Sequence, residues 1–293
     1  MRKRTLKNQL ALNVIFIILC ILIVFPLLLV ISVSVSSETD IINNGYKLIP
    51  ERFDLSAYKY IFKNSQAVMD AYGITILSSV LFTLISVSCM SGVAYMLSKR
   101  NLKGNSFFSF YLFFTMLFSG GLVPSYILIT QYLHLDDTLW VHIIPGVVSP
   151  WYVFMIRTFF QGLPQEILES ARVDGANQYT IFFRIVIPLS KSVIAAVSLF
   201  MFLGKWNDWN TSMLYINNKE RLISLQYLLQ RIMQNIKVLQ DSGMDTEMMS
   251  DIKVPSETVR MAMAVVVAGP ALLIFPFFQK YFVKGMTVGA VKG

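Results

Sequence analysis

Glu166, Glu169 and Asp174 fall in one short polar stretch, 163–177, that lies between two long apolar runs. Carboxylates on a loop of this kind offer a docking surface for another protein. Pro164 suits the first turn of a helix, where its missing N–H costs nothing, and Glu166 complements the helix dipole. The spacing predicts a short helix over 165–173, with Ile167, Leu168 and Ala171 available for contact. Gly175 lets the chain turn, because glycine takes a positive φ without a Cβ clash. A second amphipathic piece over 179–186 carries Phe182, Phe183 and Val186, and Pro188 marks the start of the next apolar run. The product is a helix–turn–helix knuckle. An amphipathic helix lying on a membrane surface accounts for the phenylalanine pair but leaves Asp174-Gly175-Ala176 unexplained.

A second group, Trp206-Asn207-Asp208-Trp209, is joined in character by Tyr126 and Trp151. Aromatic faces beside amides suit sugar rings, which present apolar C–H faces and peripheral hydroxyls. The aromatic belt at a membrane interface accounts equally well for Trp209, and for Trp151 helix packing is the simpler account. Nucleotide hydrolysis has no equipment here: a Gly-x4-Gly-Lys-Ser/Thr phosphate loop is missing, and Gly204-Lys205 lacks the preceding glycine. Cys20 and Cys89 lie in apolar runs as packing residues, and His134 and His142 are isolated, so the sequence offers neither a disulfide framework nor a metal site.

The elements that must hold these residues are membrane spans. The chain has 293 residues, of which 55% are hydrophobic and 14% charged, and the apolar residues gather in long runs. Six spans are predicted, at 11–35, 72–97, 106–130, 138–160, 190–212 and 259–282. The N-terminal run, though preceded by Arg2-Lys3-Arg4, is longer than a signal h-region and reads as an uncleaved span. With the N-terminus inside, cytoplasmic segments carry fourteen of the 25 basic residues but only three of the 17 acidic ones. That asymmetry obeys the positive-inside rule and puts both termini in the cytoplasm. The net charge of +8 is therefore topological and no sign of nucleic-acid binding. The chain divides into an N-terminal span with its external segment, 1–71, and a five-span core, 72–293, with a cytoplasmic loop at 162–189 and an external loop at 210–257. Within the external loop a helix is predicted over 222–236 and a polar turn over 241–251.

The predicted spans hold almost no midplane charge, which disfavours a proton- or cation-coupled carrier and suggests a solute of little net charge. Span five is the exception. Lys205 follows Lys191 by about 21 Å of helix, within a hydrocarbon core of about 30 Å, so 205–210 starts at membrane depth. Gly120-Gly121, Pro124, Pro145-Gly146, Pro150 and Gly269-Pro270 are breakers in three other spans. Irregular backbone at depth is tolerated where it lines a cavity, although Gly and Pro are also generally commoner in membrane helices.

Glu169-Ser170-Ala171, a three-residue offset to Gly175-Ala176 after Asp174, then Ile185 and Pro188, resembles the coupling loop of permease subunits in ATP-binding-cassette importers. The family pattern opens Glu-Ala-Ala, so Ser170 is a small-for-small departure. The resemblance extends to the maltose-type, carbohydrate-importing branch that handles oligosaccharides, through 118–126, Leu48-Ile49-Pro50, 58–62, Trp206-Asn207-Asp208-Trp209 and the tail 284–293. It implies an all-α membrane protein of type I importer fold with six transmembrane helices. Its partners would be a homologous second permease, two ATPase subunits, an extracellular or periplasmic solute-binding protein and membrane lipid, without nucleic acid. ATP and magnesium would sit on the ATPase, and this chain would bind no cofactor. Glu169 and Ala171 would lie in the ATPase contact, Gly175 would permit the turn, and Asp174 would cap or brace it. A permease for an amino acid or polyamine, a secondary transporter and a non-transporting scaffold are the alternatives.

Overall fold

The computed structural model describes residues 2–99, 102–241 and 256–290. Most of the polar turn expected at 241–251 and the last three residues of the tail lie outside the described residues. The described residues fold into helices and loops, with one isolated antiparallel bridge between Ser36 and Phe53. In chain order the helices are α1 (Arg2–Ser34), α2 (Glu38–Asn44), α3 (Ser56–Ile61), α4 (Ser65–Ser98), α5 (Asn105–Leu117), α6 (Leu122–Ile127) and α7 (Pro150–Gln161). Then follow α8 (Gln165–Val173), α9 (Gln178–Ile181), α10 (Ile187–Leu189), α11 (Lys191–Trp206), α12 (Asn210–Tyr215), α13 (Leu225–Asp241) and α14 (Ser256–Ala290).

Three stretches are long and apolar enough to cross a bilayer: Gln9–Ser34, Ser65–Ser98 and Glu257–Pro276. Two bent pairs pass the same test together, which raises the number to five among the described residues. The run expected as one span at 106–130 is bent by 112° between Asn105–Leu117 and Leu122–Tyr132. Gly121 turns the corner at φ +87°, a region closed to most side chains. The run expected at 138–160 is helical only from Pro150, after a 3-10 turn at Leu139–His142. Pro145 and a left-handed Gly146 interrupt it, and Pro150 starts α7 where a missing N–H is harmless. Gly269-Pro270 behaves otherwise: α14 runs through it unbroken, correcting its reading as a breaker. One absent N–H is tolerated in a long membrane helix.

The chain separates into two compact units, one of 1–68 with 229–270 and the other of 69–228 with 271–293. In the first, α1 is apolar and exposed on all sides from Gln9 to Leu28, and only its last turn, Ser32 to Ser34, is buried. Ser34 Oγ lies 2.9 Å from Tyr58 Oη, tying α1 to α3. Glu38 accepts from the Glu257 and Thr258 amides at 3.0 and 2.9 Å, satisfying N–H groups that the start of α14 would otherwise leave free. The Tyr46 hydroxyl donates to Glu257, and that bond chiefly, with burial, raises the phenol above its ordinary range.

The second unit has one main apolar core. It joins Met90 and Ala94 of α4, Val153, Ile156 and Phe160 of α7, Leu168 and Ala171 of α8, Ile181 of α9, and Val193, Val197 and Met201 of α11. α4 contributes a stripe of small polar residues, Thr75, Ser79, Thr83 and Ser86, all buried. Small side chains let membrane helices approach closely. α5 is different, with no buried residue, and is fastened to α7 by Arg157 Nη1 donating to Ser109 Oγ at 2.9 Å. Cys20 and Cys89, expected as packing residues, are both exposed on helix surfaces.

Candidate functional site

The knuckle closes by backbone hydrogen bonds. α8 ends at Val173, and Gly175 follows at φ +81°. The Ala176 amide then donates to the Ala171 carbonyl at 2.9 Å, and the Gly175 amide to the Arg172 carbonyl at 3.1 Å. These two bonds satisfy carbonyls orphaned at the helix end, with Ala176 packed against the core beside Ala171, and they demand a left-handed residue at 175. Asp174 occupies the C-cap, is exposed, and makes no side-chain bracing bond among the described residues. Asn177 supplies the brace: its Oδ1 accepts from the Thr180 amide at 2.8 Å and caps α9. An Asn two residues past the turn glycine, ahead of an apolar piece, is the N-cap signal that could have located it.

α8 is two-faced. Leu168 and Ala171 point into the core, so Ala171 lies behind the surface and not on it. The outward surface is built from Glu166, Glu169, Ser170, Val173 and Tyr179, all exposed. Ser170 Oγ bonds back to the Ile167 carbonyl at 3.1 Å, so the departure from alanine leaves its polar atom partnered within the helix. Pro164 is the N-cap residue, one position before the first turn. Pro188 lies in α10, after a π turn over Phe182–Val186. The wider turn accommodates a residue that cannot donate to the preceding ladder. The helical stretch Gln178–Leu189 then meets Lys191–Trp206 at 80°, with Ser190 at the bend.

The other candidate group lies at the far end of α11. A cavity of about 430 Å³ is lined by Phe82, Tyr152, Lys205, Asn207, Asp208 and Trp209, among others. Asn207, Asp208 and Trp209 thus share one cavity wall. Trp206 does not join them: it is buried and stacked on Phe202 at 5.8 Å. Helical geometry explains this, since Phe202 and Trp206 stand four apart on one face. Tyr126 stacks on Tyr215 at 5.7 Å, and Trp151 is exposed at the start of α7, so neither lines this cavity.

Lys205 dominates the site's electrostatics. Its ammonium is 2.6 Å from Asp208 Oδ2 and 5.5 Å above the Phe82 ring. Asp208 also accepts from the Thr211 amide at 3.1 Å and from the Thr211 hydroxyl. The pair is largely desolvated, with 8% and 20% of the side-chain surfaces exposed. Nearby, buried His142 holds the Leu222 carbonyl at 3.0 Å through Nε2, a structural part. Lysine three residues before aspartate was the signal for this pair. Tyr152 and Phe200, stacked at 6.3 Å, gave no such signal, because their convergence depends on how α7 meets α11. No cluster of metal-ligating side chains occurs among the described residues.

Outside the cavity, Asp137 joins two loops. Its carboxylate accepts from the Asn217 and Asn218 amides at 2.8 and 3.0 Å and from the Asn218 side chain at 2.8 Å. Burial pushes the carboxyl up, but these bonds outweigh it and hold it below its ordinary range.

Residues 2–288 match the family described as binding-protein-dependent transport system inner membrane component. The polygalacturonan/rhamnogalacturonan transport system permease protein YtcP of Bacillus subtilis (strain 168) is 37% identical over 281 residues, covering 95% of this chain and 94% of that protein. Protein LplC of the same organism is 36% identical over 271 residues, covering 92% and 90%. The crystal structure of a bacterial ABC transporter involved in the import of the acidic polysaccharide alginate superposes with a TM-score of 0.77 at 27% identity, covering 93% of this chain and 95% of that one. With the knuckle and the bent spans already in place, this chain belongs to the family of inner membrane components of binding-protein-dependent transport systems.

Proposed function

We propose that this chain is the permease subunit of an ATP-driven oligosaccharide importer in a bacterial membrane. It would span the bilayer six times with both termini in the cytoplasm, and form the translocation pathway with a second, homologous permease. Two ATPase subunits, carrying ATP and magnesium, would dock on the knuckle, and a solute-binding protein would deliver cargo from outside. The observation that carries this reading is that Leu168 and Ala171 of the knuckle share one apolar core with α4, α7 and α11. A push on α8 therefore moves packed side chains, which do not deform continuously, and α11 leads from that core to the cavity at Lys205 and Trp209. ATPase closure would thus swing the spans outward-facing, and hydrolysis would return them.

Carbohydrate as cargo is supported by what the relatives are named for and by the aromatic and amide wall of Tyr152, Trp209 and Asn207. The 14-to-3 charge bias of the loops assigned inside supports the orientation. Affinity purification in mild detergent tests the assembly: a second permease and an ATPase with cargo-stimulated hydrolysis should accompany this chain. A chain that purifies alone, with no associated hydrolysis, would refute it.

A further inference from the structure

A second cavity, of about 640 Å³, opens beside the knuckle. Lys99, just past α4, Gln165, Glu169 and Arg172 on α8, and Gln178 at the start of α9 form its polar wall, with Tyr95 beneath. Gln178 Oε1 accepts from Lys99 Nζ at 2.8 Å and from Tyr95 Oη at 2.9 Å, so both its lone pairs are committed. Lys99 also lies 4.5 Å over the Tyr95 ring. Arg172 makes no hydrogen bond or ion pair among the described residues. The uncommitted groups are therefore mostly donors: the remaining Lys99 ammonium hydrogens, the Gln178 amide hydrogens and the whole Arg172 guanidinium. Among the described residues Glu169 is the one carboxylate on the wall, and it pairs with neither cation.

Two unneutralised cations facing one cavity carry an electrostatic cost. Burial, and then the charge of Arg172, push the Lys99 ammonium below the ordinary lysine range. An anion seated between them removes the repulsive part and uses the free donors. We propose that this cavity binds a phosphate ester, held by Lys99, Gln178 and Arg172. A tetrahedral group with several acceptor oxygens matches a guanidinium fork plus an ammonium better than a single carboxylate does. The cavity is roomy enough for a glycerophosphate-sized group. That chemistry has two sources, a phospholipid headgroup at the membrane face and a soluble phosphate ester. The site goes beyond the transport reading and does not depend on the cargo.

The assembled importer, delipidated in detergent, is titrated with phosphatidylglycerol or with sn-glycerol 3-phosphate and followed by native mass spectrometry. The wild type should bind about tenfold more tightly than Lys99→Gln/Arg172→Gln, the ratio expected for losing charge-assisted hydrogen bonds. Arg172→Lys, which keeps the charge without the fork, should fall between. Discrimination with the lipid alone identifies a headgroup, and discrimination with glycerol 3-phosphate identifies a soluble ester. Equal affinity of wild type and variant for both probes overturns the site. If the double variant does not assemble, Arg172→Gln alone, at an exposed side chain, gives the same comparison.

Discussion

Lys205 Nζ lies 2.6 Å from Asp208 Oδ2, across the last turn of α11, and the pair faces the cavity that Trp209 and Asn207 also line. Each charge is stabilised by the other, and neither is well hydrated. Removing one partner from a buried pair costs about 3–5 kcal/mol, because it strands the other. Lys205→Met and Asp208→Asn should each lower the thermal midpoint of the assembled importer and its transport. The double substitution should recover much of the stability. A double variant as unstable as the sum of the singles would mean the two charges act independently.

Gly175 sits at φ +81° with open space around its Cβ position, so conformation and not crowding restricts the site. A side chain held there costs about 1–2 kcal/mol, and a β-branched one more. Gly175→Val should abolish uptake with membrane insertion intact, whereas Gly175→Asn, tolerant of this region, should retain much of it. Normal uptake by the valine variant would remove the turn from the coupling mechanism.

Trp209→Ala and Asn207→Ala shorten the cavity wall without touching α8. Both should reduce uptake while the ATPase stays bound during purification. Unchanged uptake in both would relocate the pathway.

Asp137 is held by amides of 217–219, so its folded carboxyl ionises below the unfolded value. A depressed carboxylate contributes its stability above the unfolded pKa, about 3.9, and loses it as pH falls through the lower, folded pKa. Amide exchange at Asn217 and Asn218 should therefore be slow at neutral pH and quicken, beyond its intrinsic pH dependence, as Asp137 protonates. Asp137→Ala should show fast exchange at neutral pH. Protection unaffected by the alanine would mean the loops are held by other contacts.

The sequence made the knuckle legible because its signals are local: a proline at the start, a glycine at the end, and apolar residues at helical spacing between. The helix expected over 165–173 is Gln165–Val173. Bends were legible as breakers but not as angles. Gly120-Gly121 marks the 112° turn, whereas Gly269-Pro270, read as a breaker alongside it, lies in continuous helix. Gly121 takes φ +87°, which turns the chain, whereas a proline ring holds φ at about −65°, a value that fits a helix. Trp206 shows a limit of position: adjacent in sequence to Asn207, it is buried while Asn207 is exposed, because successive helix positions stand about 100° apart. Ala171 likewise carries the family pattern from beneath the surface, holding α8 to the core.

The core that seats α8 draws on residues from Phe82 to Met201. During synthesis, then, the knuckle leaves the ribosome before α11 exists to hold it. α1, apolar on every side, can settle in lipid early without any of this. The outward surface of α8 acquires its final form only once the later helices are in place, so the ATPase docking proposed above would double as a proofreading step for completed insertion. A chain truncated after Leu189 should enter the membrane yet fail to retain the ATPase.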